Sequence, residues 1–461
     1  MFPRAQNNPT AAGLQNRAAT HASHIESPTS PSGWPFANAS GTLAAETEEE
    51  SDEVDSDSPS GQMQKFLTRL PPGGSSYTYS QCRAAFRNPT PGRSVRAGLR
   101  ELLGPSSLSL HASGREALRV AFSHLAAQRD RDEIWVAGYT CFSVPAAAVA
   151  AGLRVRLVEI GLDGRIDPNA LERMPLERAA ALVVSNLFGV PEPVTRLREI
   201  LDSQGVALVD DAAQSLGARS AEGPVGSRGE VGVLSFGRGK PLSALGGGAL
   251  AWMGSDGPAD PSASDARPFS AVTRAAAFNL ARLPPVFRWL AAIPALGIGE
   301  TRYDPNFERG GIDGASLCLI AAVLPEFETA NRERARRAAA LAERIRAETD
   351  FSPLGASEES KPVYPRLGIL APSVAARDGA LRALTPIGAT KMYPSALDGI
   401  VELRPNLADE PKTPVAREFS ARLLTLPTSS ALSGERVEFA LRTLGELSDT
   451  PASRPVNEVL R

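Results

Sequence analysis

Lys240 and Asp211 are the residues whose types and surroundings speak most directly of chemistry. Lys240 closes the segment Ser235-Phe236-Gly237-Arg238-Gly239-Lys240, after an apolar run at residues 231–236 and before the triple glycine Gly246-Gly247-Gly248. Glycines let a backbone approach a bound molecule closely and take positive φ. An amine held in such a loop can form an imine with a carbonyl, and a low-dielectric site with cationic neighbours makes it reactive. The bland alternative is a solvated surface lysine. The G-x-x-x-x-G-K-[ST] spacing of a phosphate loop is absent. Asp210 and Asp211 follow the apolar run 206–209, which puts Asp211 at the carboxyl end of a predicted strand. Ligands bind at that edge in open α/β sheets. Taken alone, the pair reads equally as a helix N-cap before Ala212-Ala213-Gln214.

Two further features belong with these. Ser113-Gly114-Arg115-Glu116 precedes the helical run 117–127. Ser113 and Glu116 match a capping box, and the same helix N-terminus offers free N–H groups and a dipole to an anion. Backbone groups would then bind the anion, since the Glu116 carboxylate repels it. Tyr139-Thr140-Cys141 ends a predicted strand starting at Glu133, a third position on the same sheet edge. Each signal is weak alone. A phosphate cradle, a strand-end Asp and a loop Lys together are the set that pyridoxal phosphate (PLP) requires. The Asp keeps the pyridine nitrogen protonated, and the Lys holds the aldehyde and moves protons.

The elements that must position these residues are legible as alternation. Apolar runs at 134–137, 155–160, 180–185 and 206–209 read as strands, with helices at 145–151, from Asp167-Pro168 onwards, and at 194–203. This spacing predicts βαβ units and a parallel sheet covered on both faces. After Trp252 come a polar loop, 254–266, and an apolar stretch studded with arginines, 272–298. That stretch predicts an amphipathic helix pair forming a packing surface or subunit interface, with membrane-surface contact as the sharper alternative. An Ala/Arg/Glu helix spans 326–348, and 362–461 reads as a smaller α+β domain.

Composition bounds the rest. The chain has 461 residues and a formal net charge of -3, which leaves no electrostatic footprint for nucleic acid. Its first 60 or so residues are polar and end in an acidic run, 46–57, too poor in apolar side chains to offset their ordering entropy. His21 and His24 lie there, and a lone imidazole pair in such a tail makes a poor metal site. Three widely spaced cysteines, Cys82, Cys141 and Cys318, fit a reducing compartment. No apolar run is long enough to span a bilayer. A soluble, cytoplasmic protein is expected.

From Ser113 to Trp252 the order and wording of these motifs resemble the DegT/DnrJ/EryC1/StrS family of sugar aminotransferases, with fainter echoes in Met392-Tyr393-Pro394 and Leu424-Thr425-Leu426-Pro427. The family's S-G-T-x-A-L stands as Ser113-Gly114-Arg115-Glu116-Ala117-Leu118, its E-D-A-A-Q as Asp210-Asp211-Ala212-Ala213-Gln214, and its S-F-x-x-x-K as Ser235 to Lys240. The resemblance implies fold-type I, with a mostly parallel sheet in a large domain (62–310, insertion about 254–305) and a linking helix and small α+β domain (311–461) after the tail (1–61). It implies that Gly114, Arg115 and Glu116 lie at the phosphate, with Ser235 as a further phosphate contact. Asp211 would meet the pyridine nitrogen, Gln214 the phenolic oxygen, and Lys240 would be the Schiff-base lysine. Cys141 stands where the family stacks an aromatic on the ring, and Asn186-Leu187-Phe188-Gly189 replaces its H-x-Y/F-G. Its N-Y-R-M stretch, whose Asn reaches the neighbouring subunit's cofactor, has no clear counterpart, although Asn306 lies nearby. The implied reaction moves an amino group from L-glutamate to a nucleotide-linked keto sugar, in a homodimer with shared sites. Rivals are a PLP-dependent nucleotide-sugar dehydratase, whose branch typically carries His in place of Lys240, and a non-catalytic regulatory protein on the same fold.

Overall fold

The sheet that carries the site is built from seven strands: β1 (Ser107–His111), β2 (Glu133–Ala137), β3 (Arg154–Val158), β4 (Ala179–Ser185), β5 (Ala207–Asp211), β6 (Val231–Ser235) and β7 (Gly248–Trp252). Their order is β1-β7-β6-β5-β4-β2-β3, with β2 to β6 mutually parallel and β7 antiparallel to both its neighbours. Every residue of the central strands β4 and β5 is buried. Strands covered on both faces lose the alternation of a half-exposed sheet and become continuous apolar runs, which is why the sequence announces them. The computed structural model describes Leu70 and residues 76–254, 257–261, 264–291, 293 and 301–448. The polar tail, with His21, His24 and its acidic run, lies outside the described residues, as do residues 294–298 of the apolar stretch. The chain divides after Val54, and everything described belongs to the part beginning at Asp55.

The registers set up the site. Asp211 lies opposite Ser185 of β4 and Val233 of β6, and Ser235 lies opposite Gly248 of β7. The carboxyl ends of β4, β5 and β6 therefore fall at one edge. Helices Gly114–Arg129, Ser143–Ala150 and Thr195–Asp202 supply the crossovers and bury Phe122, Leu125, Leu197 and Leu201. The predicted elements at these positions are all present, and Asp167 caps its helix by accepting from the Asn169 N–H at 2.9 Å.

Two strands go beyond the sequence expectation. In β1, Ser-Leu-Ser-Leu-His alternates polar and apolar side chains, and Gly-Ala-Leu-Ala-Trp in β7 has no β-branched residue. Both signals are weak, and tertiary pairing decides their structure.

The helix Phe327–Glu348 runs from the large sheet to a three-stranded antiparallel sheet of Ser352–Pro353, Arg366–Leu370 and Leu423–Pro427, covered by helices Val374–Leu384 and Gly434–Ser448. The apolar stretch forms helices Pro268–Ala281 and Pro284–Ala291. No described helix is long and apolar enough to cross a membrane.

Candidate active site

At the shared strand edge lies a cavity of about 230 Å³, and all the predicted site residues except Glu116 line it: Gly114, Arg115, Cys141, Asp211, Gln214, Ser235 and Lys240. One wall is the N-terminus of the helix Gly114–Arg129. Ser113 caps it, its Oγ accepting from the Glu116 N–H at 3.2 Å. The helix start lies against the ends of β6 and β7 at backbone contact distance. A Cβ on Gly114 would sit 2.8 Å from Ser235 Cβ, and one on Gly248 would sit 2.5 Å from the Gly114 nitrogen. Only glycines permit that approach. It brings first-turn N–H groups, which have no intrahelical acceptor, beside the Ser235 hydroxyl at the cavity wall.

The Glu116 side chain departs from the capping box that its motif suggests. Its carboxylate is buried and turned away from the cavity, bidentate to Arg119 at 2.7 and 2.8 Å, and it also accepts from the Gly310 N–H at 3.3 Å. The capping box is half made, because an arginine one turn on in the helix competes for the carboxylate and wins. A favourable consequence follows: no negative charge faces the anion cradle from this residue. Arg115 does line the cavity, with its guanidinium 5.4 Å from the centre of the Phe307 ring.

Asp211 is the last residue of β5 and is 7% exposed. It caps no helix, because residues 213–217 form a turn. Its Oδ1 accepts from the Ala213 N–H at 2.9 Å, and its second oxygen has no hydrogen bond among the described residues. Burial pushes this carboxyl up to about 6, against the opposing pull of the Ala213 N–H and the Lys240 charge. A half-satisfied buried carboxylate at a cavity wall is the arrangement that a protonated ring nitrogen would complete.

Gln214 sits three residues on, its side-chain amide held at both ends. Oε1 accepts from the Phe188 N–H at 3.0 Å, and Nε2 donates to the Tyr393 hydroxyl at 2.5 Å. Phe188 has φ 58°, and Met392, just before Tyr393, has φ 68°. Both are left-handed conformations that bulky side chains seldom adopt. The Tyr393 hydroxyl is held protonated, its pKa raised by burial and then by the nearby Cys141. Cys141 is half-buried and forms no disulfide. Tyr393 stacks on Phe142 with ring centres 6.3 Å apart and lies 5.6 Å from Tyr139.

Lys240 is half-buried on the loop after β6. Its N–H reaches the Gly237 carbonyl at 3.3 Å, and the Ala244 N–H closes on the Phe236 carbonyl at 2.7 Å. Sequence reasoning named Thr140 only as part of a motif and did not assign Ser185 or Asn186. Thr140 Oγ1 donates to Ser185 Oγ at 2.8 Å, and all three residues line the cavity. The motif Met392-Tyr393-Pro394 gives Tyr393 no site role from sequence, since its partner Gln214 lies 179 residues away. Asn306 is exposed and does not line the cavity.

Residues 96–256 match the model of the DegT/DnrJ/EryC1/StrS aminotransferase family. The erythromycin biosynthesis sensory transduction protein EryC1 of Saccharopolyspora erythraea is 35% identical over 140 residues, 30% of this chain and 38% of that protein. A dTDP-3-amino-3,4,6-trideoxy-alpha-D-glucose transaminase of Streptomyces venezuelae is likewise 35% identical over 140 residues, 30% of this chain and 37% of the relative. The matched stretch thus spans under two-fifths of each of these relatives. Similarity of fold extends further. The PLP form of a Streptococcus pneumoniae protein described as a sugar aminotransferase superposes with a TM-score of 0.64 over 84% of this chain and 100% of that one, at 17% identity. The fold is that of the fold-type I PLP aminotransferases, and residues 96–256 are similar to the DegT/DnrJ/EryC1/StrS aminotransferase family.

Proposed function

We propose that this chain is a PLP-dependent aminotransferase that transfers an amino group from L-glutamate to a nucleotide-linked keto sugar. The observation that carries the reading is the buried, half-satisfied Asp211 carboxylate in the same cavity wall as Lys240 and the glycine-tight helix N-terminus. These residues fit PLP in charge and chemistry. Asp211 would face the ring nitrogen, the first-turn amides and Ser235 would hold the phosphate, and the Lys240 amine would hold the aldehyde. When bound, PLP supplies an electron sink that stabilises negative charge at the substrate carbon.

The chain's own residues do the rest. Asp211 would supply the counter-ion to a protonated ring nitrogen in a buried setting, where such charge pairing is strongest. Arg115 adds a cation beside the phosphate cradle. The Lys240 amine, half-buried at the cavity wall, would move a proton to or from the substrate carbon with its Nζ. Leu118, Val144, Leu187 and Val233 form the apolar part of the wall and keep water from the reacting atoms. The nucleotide-sugar class draws support from the relative named as a dTDP-amino sugar transaminase. Lys240 itself speaks against the dehydratase rival.

The test is spectroscopic. The purified chain, mixed with PLP, should develop an absorbance band that glutamate then bleaches, and borohydride before glutamate should leave a pyridoxyl label on the Lys240 peptide. A label on a different lysine sinks the assignment. A band that forms but ignores glutamate and other amino donors favours the regulatory rival. We further propose that the chain works as a homodimer. Support comes from Phe269, Leu280, Leu283 and Trp289, which stand 51–75% exposed on helices Pro268–Ala281 and Pro284–Ala291 and the turn between them.

A further inference from the structure

Two polar residues on the helix Phe327–Glu348 join the segments that carry Asp211 and Lys240, although neither lines the cavity. Asn331 is 5% exposed, and its Nδ2 donates to the Leu216 carbonyl at 3.1 Å. Leu216 belongs to the tight turn after Asp211, closed by Leu216 N–H to Ala212 O at 2.9 Å and Ser215 N–H to Ala212 O at 3.0 Å. Three residues on, Arg334 donates from Nη2 to both the Asn331 side-chain carbonyl and the backbone carbonyl of Pro241. Pro241 is buried and directly follows Lys240. A continuous path therefore runs from the Asp211 turn through Asn331 and Arg334 to the Lys240 loop.

The approach of turn and helix is built in. Gly217, at φ +88°, lies so close that a Cβ there would sit 2.4 Å from Asn331 Nδ2 and 3.0 Å from the Phe327 ring. The guanidinium is also costly where it stands. Among the described residues no carboxylate lies within ion-pair distance of it, and its Nε is buried without a hydrogen-bond partner. Burial draws this group down to about 10. A half-buried cation whose Nε is sealed off without an acceptor is unfavourable as packing, which argues that its position matters for what it holds.

We propose that Asn331 and Arg334 are positioning residues that fix the Lys240 loop relative to the Asp211 turn, and so set how both meet the cofactor. The proposal rests on the functional reading above. Because the helix leads directly into the three-stranded sheet, it also ties that sheet to the geometry of the Lys240 loop.

The experiment uses the full chain with Asn331→Ala, Arg334→Met and the conservative Arg334→Lys. Hydrogen–deuterium exchange without cofactor is the first readout. Asn331→Ala and Arg334→Met should raise exchange in 236–247 and 212–218 together, and Arg334→Lys should restore protection in part. Retention of PLP alone, followed by absorbance, is the second. It should weaken about tenfold in the first two variants, the factor expected for losing a hydrogen bond from a charged donor, and the pH midpoint of the absorbance band should move. Faster exchange confined to the helix, or unchanged PLP retention with both loops unprotected, overturns the proposal. A wild type that develops no band with PLP sinks the functional reading instead, and the exchange result still decides whether the two loops are tied. Should Arg334→Met fail to fold, Asn331→Ala and Arg334→Lys carry the same two readouts.

Discussion

Asp210 and Asp211 are adjacent in β5 and do opposite things. Successive side chains of a strand point to opposite faces. Asp210 is fully buried and bidentate to Arg228, with Oδ1 to Nη2 at 2.8 Å and Oδ2 to Nε at 3.0 Å, and its Oδ2 also accepts from the Gly226 N–H at 2.7 Å. Arg228 in turn reaches the Asn186 side-chain oxygen at 2.6 Å and the Glu192 carbonyl at 2.8 Å. Asp211 lines the cavity with one oxygen unpaired.

Substitution should separate the two. Asp210→Ala leaves the Arg228 charge buried without its acid, a loss of about 3–5 kcal/mol by the usual cost of breaking a buried ion pair. It should therefore show as a large fall in melting temperature or as insoluble protein. Asp211→Asn keeps the shape of the side chain and should fold with little change in melting temperature while losing turnover. Equal effects on stability would contradict this division of roles.

A pH dependence follows from Asp211. Its folded pKa is raised to about 6 by burial. A raised carboxyl favours the folded state most below its unfolded pKa, and that contribution is lost as pH rises through about 6. Without cofactor, the melting temperature of the wild type should therefore gain on that of Asp211→Asn as the medium is acidified below about 6. PLP affinity should go the other way. It should weaken in the wild type as Asp211 takes up its proton, and lose that part of its pH dependence in Asp211→Asn. Burial holds Glu192 up at about 7, but it titrates alike in both proteins and cancels in the comparison. Parallel pH profiles of PLP affinity for the two proteins would sink the assignment.

Tyr393 offers a second structural check. Its hydroxyl accepts the only hydrogen bond donated by the buried Gln214 Nε2 among the described residues. Tyr393→Phe keeps the ring against Phe142 and leaves that donor unsatisfied, which costs about 1–3 kcal/mol. A lowered melting temperature is expected, with faster exchange around Phe188, whose N–H holds the other end of the same amide. An unchanged melting temperature would mean that water replaces the hydroxyl.

How much of this was legible follows from where the signals are local. Continuous apolar runs gave β2 to β6, and the short motifs after β5 and β6 gave Asp211, Gln214, Ser235 and Lys240, because backbone geometry there depends on neighbouring residues. The reciprocal half of the capping box at Glu116 is missing because Arg119, one turn on in its own helix, captures the carboxylate that the capping pattern assigns elsewhere. Asn186, Tyr393, Asn331 and Arg334 were not legible as site-forming. Each acts on a partner brought near only by the completed fold, such as Leu216, which is 115 residues from Asn331.

The last prediction concerns assembly. Phe269 is 75% exposed, Trp289 67%, Leu280 57% and Leu283 51%. The neighbouring helix Tyr79–Arg87 adds exposed Tyr79 and Phe86. These elements are joined firmly, since the Asn279 side chain accepts from the Tyr77 N–H and donates to its carbonyl, each at 2.8 Å. Large apolar side chains concentrated on one joined set of helices commonly mark an interface, and a two-fold pair is the commonest way to bury one. Light scattering should therefore give twice the chain mass, and the melting temperature should rise with protein concentration. Phe269→Glu with Trp289→Glu should yield a monomer, because a charge in an apolar interface costs far more than one in water. The same residues on a membrane surface would behave differently. Wild type would then sediment with vesicles containing anionic lipid and the double variant would not, while both stayed monomeric in free solution. A monomeric wild type with full activity and no vesicle binding would defeat both accounts.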